Sequence, residues 1–207
     1  MSKIALSGDA SGTGTFTIAS PNSNSNFTLT LPAESGTVLT TGSTTGISAS
    51  ALSTGTIPKA RMFAGAVLQV VTFKYTTGQT FSSVTSLNYQ DTGLTLSITP
   101  SSASNKVLVL VTASHSGPTS GNIGSTLAVK RDSTRIAEGV GNNAPATNGE
   151  TMAPASGIIV LDSPASTSSV AYTVQIAPRG STATVYFNRN YATTGFESFI
   201  TLMEIAG

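Results

Sequence analysis

Gly93-Leu94-Thr95-Leu96-Ser97-Ile98-Thr99 alternates apolar and polar residues, breaks at Pro100-Ser101-Ser102-Ala103-Ser104-Asn105, and resumes as Lys106-Val107-Leu108-Val109-Leu110-Val111-Thr112-Ala113-Ser114. Alternation with a period of two puts Leu94, Leu96 and Ile98 on one face of a strand and Thr95, Ser97 and Thr99 on the other. The intervening Pro, Ser and Asn form turns. The second run is apolar at every position from Val107 to Val111, which predicts a strand covered on both faces. Strand, turn and strand within 22 residues point to an all-β fold.

The same grammar recurs across residues 64–207. Strands are expected at Val67–Tyr75, Gly93–Thr99, Lys106–Ser114, Ser125–Lys130, Ile158–Asp162, Val170–Ala177, Thr182–Asn188 and Ser198–Ile205. Turns rich in Gly, Asn, Pro and Ser separate them, as at Thr76-Thr77-Gly78 and Pro178-Arg179-Gly180. Eight short strands without a helical period predict an antiparallel β-sandwich or jelly roll. Tyr172, Val174 and Ile176 alternate with Thr173 and Gln175, so this strand is expected to have one buried face and one wet face. Ile158 to Leu161, and most of Phe199 to Met203, are apolar on both sides like Val107 to Val111. Their second cover is expected from a neighbouring subunit around a threefold axis or from a loop of the same chain.

Residues 1–62 read differently. Thr15-Phe16-Thr17-Ile18 and Phe27-Thr28-Leu29-Thr30-Leu31 alternate like strands, Gly36-Thr37-Val38-Leu39-Thr40 follows, and Ser20 to Asn26 is a loop. Too few large apolar residues are present to build a core of their own. Residues 1–41 are therefore read as an extended β arm that gains its order by docking, through Phe16, Ile18, Phe27, Leu29, Leu31, Val38 and Leu39. The alternative is an arm folded back on its own C-terminal domain. Residues 42–63, with Gly42-Ser43-Thr44-Thr45-Gly46 and the Thr54–Pro58 stretch, form a connector. Residues 64–207 form the head.

Composition narrows the function. Charged residues make up 9% of the 207 residues, against about 25% in an average soluble protein. Net charge is +1, and the ten Lys and Arg residues are scattered, so no basic footprint for nucleic acid is expected. Lys130-Arg131 with Arg135, interrupted by Asp132, reads as a solvated hairpin. No apolar run reaches membrane-spanning length and the N-terminus lacks a secretory h-region, so neither membrane insertion nor secretion is expected. Cysteine is absent and His115 is the one histidine, which leaves no ligand set for a zinc site and no thiol nucleophile. The carboxylates are isolated, and Gly8 to Gly14 lacks the Lys of a phosphate loop. The reading is a non-enzymatic protein without cofactors, with His115 in a solvated or hydrogen-bonded role.

Two runs carry a family resemblance. Gly14-Thr15-Phe16-Thr17-Ile18-Ala19-Ser20-Pro21, followed by Phe27 to Gly42, is similar to a segment common in tail fibres of marine and other environmental phages. Ile47 to Arg61 looks like the connector that precedes phage fibre heads. Ile98 to Val109 and the closing Ile200-Thr201-Leu202-Met203-Glu204-Ile205-Ala206 resemble their terminal β domain. The resemblance implies a homotrimeric virion protein, assembled in the host cytoplasm and docked to other virion structural proteins by its N-terminal arm. It implies no catalytic residues. Long fibres carry extended repeats between anchor and head, and this chain has only a short connector. A short tail fibre is therefore expected, with a head fibre or capsid decoration as the alternative. Host-surface glycan binding would fall on Tyr186, Asn188, Arg189, Asn190 and Tyr191, the one stretch mixing Tyr, Asn and Arg. The competing reading makes that stretch a strand end with alternating core and surface residues.

Overall fold

The structure, a computed structural model, describes residues 59–117, 124–142, 155–189 and 195–207, with positions 11–15, 17, 19, 22–26 and 28 nearer the N-terminus. The chain divides into two compact units, residues 1–53 and 54–207. In the first unit the described residues are exposed, and Ser25 N–H donates to Ser23 Oγ at 3.1 Å in a turn within the expected loop.

The second unit carries a short 3-10 turn at Lys59–Arg61 and ten strands among its described residues. These are β1 (Val67–Tyr75), β2 (Gln79–Val84), β3 (Gln90–Ile98), β4 (Lys106–Ser116), β5 (Ser125–Arg131), β6 (Thr134–Asn142), β7 (Ala155–Asp162), β8 (Val170–Pro178), β9 (Ala183–Phe187) and β10 (Ser198–Ile205). Every pairing is antiparallel. β1 pairs with β10, β3 with β8, β4 with β7 and β5 with β6, each pair nested inside the one before. Contacts of β10 with β4 and of β8 with β5 then close two sheets, β1-β10-β4-β7 and β3-β8-β5-β6. A long hairpin rolled up in this way is a jelly roll. β2 and β9 pair with each other and extend the first sheet at the far end of β4.

Alternation within the strands fills the space between the sheets. Val107, Val109, Val111, Ile200 and Leu202 point inward from the first sheet, and Leu94, Ile98, Leu127, Val129, Tyr172, Val174 and Ile176 from the second. Tyr75 reaches β3 because Gly93 has no side chain; a Cβ there would collide with the Tyr75 ring.

At one end of the sandwich the β3–β4 loop is held by a carboxylate. Glu204 is fully buried on β10. Its Oε1 accepts the Ser101 N–H, the Ser101 hydroxyl and the Asn105 amide, each at 2.6 Å, and its Oε2 accepts the Gln69 amide at 2.6 Å. Burial alone would raise the pKa of this carboxyl. The bonds from Ser101, Asn105 and Gln69 outweigh burial and hold it below its ordinary value.

Two strands were not legible in the sequence. β2 has only Phe81 and Val84 as large apolar residues. β6 contains Gly139, at φ +88°, and its ladder to β5 is broken by register shifts. The face of β8 expected to be wet is also buried, with Thr173 9% and Gln175 7% exposed. β8 is a central strand, and long polar side chains from its neighbours lie across it. Thr95 donates to Thr173, Gln175 donates to Asp91 at 2.7 Å, and Arg135 Nε donates to Gln175 Oε1 at 3.2 Å.

Candidate functional site

The outer face of the first sheet follows directly from the strands that are apolar on both sides. In register, Val70 of β1, Met203 of β10, Leu108 of β4 and Leu161 of β7 form one row across all four strands. The next row is Thr72, Thr201, Leu110 and Ile159, and the third is Lys74, Phe199, Thr112 and Gly157. The inward set of each strand fills the core, so this alternate set faces out. Ile159 is 74% exposed, Val70 53%, Leu161 52% and Phe199 40%. With strands about 4.8 Å apart, the apolar band is roughly 15–20 Å wide. Contiguous patches of this kind on soluble proteins mark interaction sites.

Its polar groups are already satisfied. The Thr72 hydroxyl contacts Thr201 Oγ1 at 3.1 Å and Ile200 O at 3.3 Å, and Lys74 at the rim pairs with Glu197 at 2.9 Å. Covering the face would leave no donor of these threonines orphaned.

The outer face of the second sheet has the opposite character. Asp91 pairs with Lys130 at 2.5 Å, and Gln175 and Arg135 continue the network to Glu138 at 3.1 Å. Burial pushes the Asp91 pKa up, but hydrogen bonds from Lys130 and Gln175, with the Lys130 charge, hold it below the usual carboxylate value. Arg135 stacks on Tyr89, 4.3 Å from the ring centre. A shallow cleft of about 470 Å³ opens there, lined by Leu87, Tyr89, Thr126, Arg135, Glu138 and Arg179 among others. The expected hairpin at Lys130, Arg131 and Arg135 is the β5–β6 turn at Asp132-Ser133. Each of its cations has a carboxylate partner, Arg131 meeting Asp162 at 2.7 Å.

The residues nominated from sequence fare unevenly. Phe16, Ile18, Phe27, Leu29, Leu31, Val38 and Leu39 lie outside the described residues, as do Asn190 and Tyr191. Tyr186 is 8% exposed and Asn188 is fully buried, a correction to their assignment as surface contacts. Asn188 sits in the left-handed region at φ 52°, its amide donates to Tyr75 O at 2.7 Å, and its Oδ1 accepts the Ser198 hydroxyl at 2.5 Å. It turns the chain out of β9 and ties that turn to β1 and β10. Arg189 lies over the Tyr186 ring at 5.7 Å. Val185, Tyr186, Phe187 and Asn188 are all buried, so this part of the stretch shows no alternation of core and surface residues either. The cleft residues Leu87, Tyr89, Arg135 and Arg179 were missed, because they come from separate stretches with no local motif.

His115 occupies the far end of β4, fully buried, with Nδ1 2.7 Å from Ser125 Oγ and Nε2 2.7 Å from Ser156 Oγ. It links β4 and β7 to β5 in the opposite sheet. Burial lowers its pKa from 6.5 to about 4. The unfolded chain binds the proton near pH 6.5 and the native state does not, so stability is complete above that pH and declines as the pH falls toward 4. Denaturant titrations should show unfolding free energy falling by about 3 kcal/mol across that window. The His115→Gln variant should lose this pH dependence.

No family model matches the chain, and no curated protein matches it. Among solved structures, that of the infectious bursal disease virus VP2 subviral particle aligns with TM-score 0.34 and 11% identity, over 74% of this chain and 42% of that one. The structure of the infectious bursal disease virus Gt strain gives TM-score 0.33 and 13% identity over the same shares. The chain spans less than half the length of either. Likeness at this level says nothing about function, which must be read from this chain's own residues. The geometry defines a jelly-roll domain with one apolar face and one polar, cleft-bearing face.

Proposed function

We propose that this protein is a structural subunit of a bacteriophage particle, a short tail fibre that forms a homotrimer through the outer face of the β1-β10-β4-β7 sheet. The observation that carries this reading is the apolar band through Val70, Met203, Leu108, Leu161, Leu110 and Ile159. Left in water, such a band is an aggregation hazard; covered by second and third copies of the chain, it becomes an interface. The occupant is a copy of the chain because the band itself carries no charge pattern that would select a dissimilar partner; among the described residues the cations lie at its rims, Lys74 paired with Glu197 at one and Lys106 at the other. The viral assignment rests on the resemblance of the N-terminal runs and of segments 98–109 and 200–206. Those last two segments meet in the fold, where Glu204 holds Ser101 and Asn105.

In this reading residues 1–41 dock onto other virion proteins and the jelly roll faces outward. A chain lacking residues 1–41 should melt cooperatively yet be absent from purified particles by mass spectrometry, while the full chain is present. Incorporation of the truncated chain would contradict the docking role. A head fibre or capsid decoration is the alternative that the short connector also leaves room for, and finding the protein on isolated capsids rather than tails would select it.

A further inference from the structure

We propose that His115 is an acid-operated latch between the two sheets: when its imidazole takes up a proton, the sandwich opens at Ser125 and Ser156 while its other end stays closed. Three side chains on three strands build the latch. His115 is the penultimate residue of β4, Ser125 the first of β5 and Ser156 the second of β7. Each ring nitrogen lies 2.7 Å from a serine oxygen, Nδ1 from Ser125 Oγ and Nε2 from Ser156 Oγ. His115 and Ser125 are fully buried and Ser156 is half-buried. β4 and β7 belong to one sheet and β5 to the other, so these hydrogen bonds cross the core and fix the first residues of two strands.

The arrangement suits a neutral imidazole. That ring has one N–H and one lone pair, so one serine accepts a hydrogen and the other donates one. An imidazolium carries hydrogens on both nitrogens. The serine that donated must then turn its hydrogen away, and a charge is left buried against two neutral hydroxyls. No described carboxylate pairs with the ring to offset that charge. Glu197, just before β10, is exposed and paired with Lys74 at 2.9 Å, and Glu138 on β6 is paired with Arg135 at 3.1 Å. The other ionisable groups toward this end are Tyr186 on β9 and, just past β8 and β9, Arg179 and Arg189. They bring no negative charge in acid. Burial lowers the pKa of His115 from 6.5 to about 4, with no charged neighbour contributing. At the other end of the sandwich, Glu204 keeps its charge further into acid, because its hydrogen bonds hold its pKa below 4.5. The two ends therefore answer to different pH ranges, the His115 end first. The inference rests on these buried contacts alone, so its failure would leave the assembly reading standing.

Hydrogen exchange of the full-length protein tests this, read by mass spectrometry at pH 7 and pH 5 and corrected for intrinsic rates. An opening that bares an imidazole of ordinary pKa should become about thirtyfold more frequent over that interval. Peptides covering residues 113–116, 125–127 and 155–158 should therefore exchange about thirtyfold faster at pH 5, while those covering residues 101–105 and 202–205 should not change. His115→Gln, whose amide keeps one acceptor and a donor, should abolish the acceleration. His115 is the one histidine in the sequence, so proton NMR gives a second reading that needs no variant: its imidazole signal in the native protein should titrate well below pH 6.5. The proposal is overturned by acceleration spread evenly over all strands, by none at all, or by the same acceleration in His115→Gln. An imidazole that titrates near pH 6.5 in the native protein would overturn it as well.

Discussion

Glu204→Leu should destabilise the jelly roll by about 3 kcal/mol, because it removes four hydrogen bonds to a buried carboxylate, leaves the buried Asn105 amide without its short acceptor and releases the Ser101 and Gln69 donors that tie down the β3–β4 loop. In a domain of this size that is a fall in melting temperature on the order of 10 °C. The effect is large because the carboxylate accepts four hydrogen bonds while fully shielded from water. Glu204→Gln should lose about half as much, since the amide keeps an oxygen for Ser101 and Asn105 but turns an N–H toward the Gln69 amide. The pH dependence has a defined sign. A carboxyl held below its usual pKa contributes stability above the unfolded value of about 4.5 and loses it as pH falls through the folded value. Melting curves of the three proteins at neutral pH check the ranking. A Glu204→Leu variant as stable as the wild type would show that the β3–β4 loop is not anchored by this residue.

The second large effect concerns assembly. If the chain assembles as proposed, the double substitution Ile159→Lys with Leu161→Lys should convert the trimer to a monomer at micromolar concentration. Both side chains sit on β7, 74% and 52% exposed in the isolated chain, so ammonium groups there are solvated in the monomer and its fold is retained. In the proposed trimer each would lose water inside an apolar band whose described residues offer no carboxylate except Glu197 at the rim, already paired with Lys74. A weakening of about a thousandfold, or about 4 kcal/mol, is expected. The melting curve of the resulting monomer should remain cooperative, which separates loss of assembly from loss of fold.

The sequence was most readable where burial is one-sided or complete. β1 and β10 have the termini expected for them, and β3 has the expected inner face of Leu94 and Ile98. The runs apolar on both sides, Val107 to Val111 and Ile158 to Leu161, proved to be adjacent strands, and their outward residues share one surface. Alternation failed where polar side chains do the covering. Thr173 and Gln175 look solvent-facing by residue type, yet hydrogen bonds with Thr95, Asp91 and Arg135 bury them. Nor does residue type reveal that Asn188 spends its side chain on Tyr75 and Ser198. The cleft was invisible for a further reason. Tyr89 lies just before β3 and Arg135 on β6, at opposite edges of one sheet, and only the nested pairing with β8 and β5 between them sets the arginine over the ring.

Sedimentation equilibrium of the unmodified full-length chain tests the central claim most directly. If the outer face of the β1-β10-β4-β7 sheet is a trimer interface, the mass should be three times the 20.9 kDa of the chain throughout the micromolar range. A mass of 20.9 kDa over that range, with Val70, Ile159 and Leu161 left in water, would contradict it.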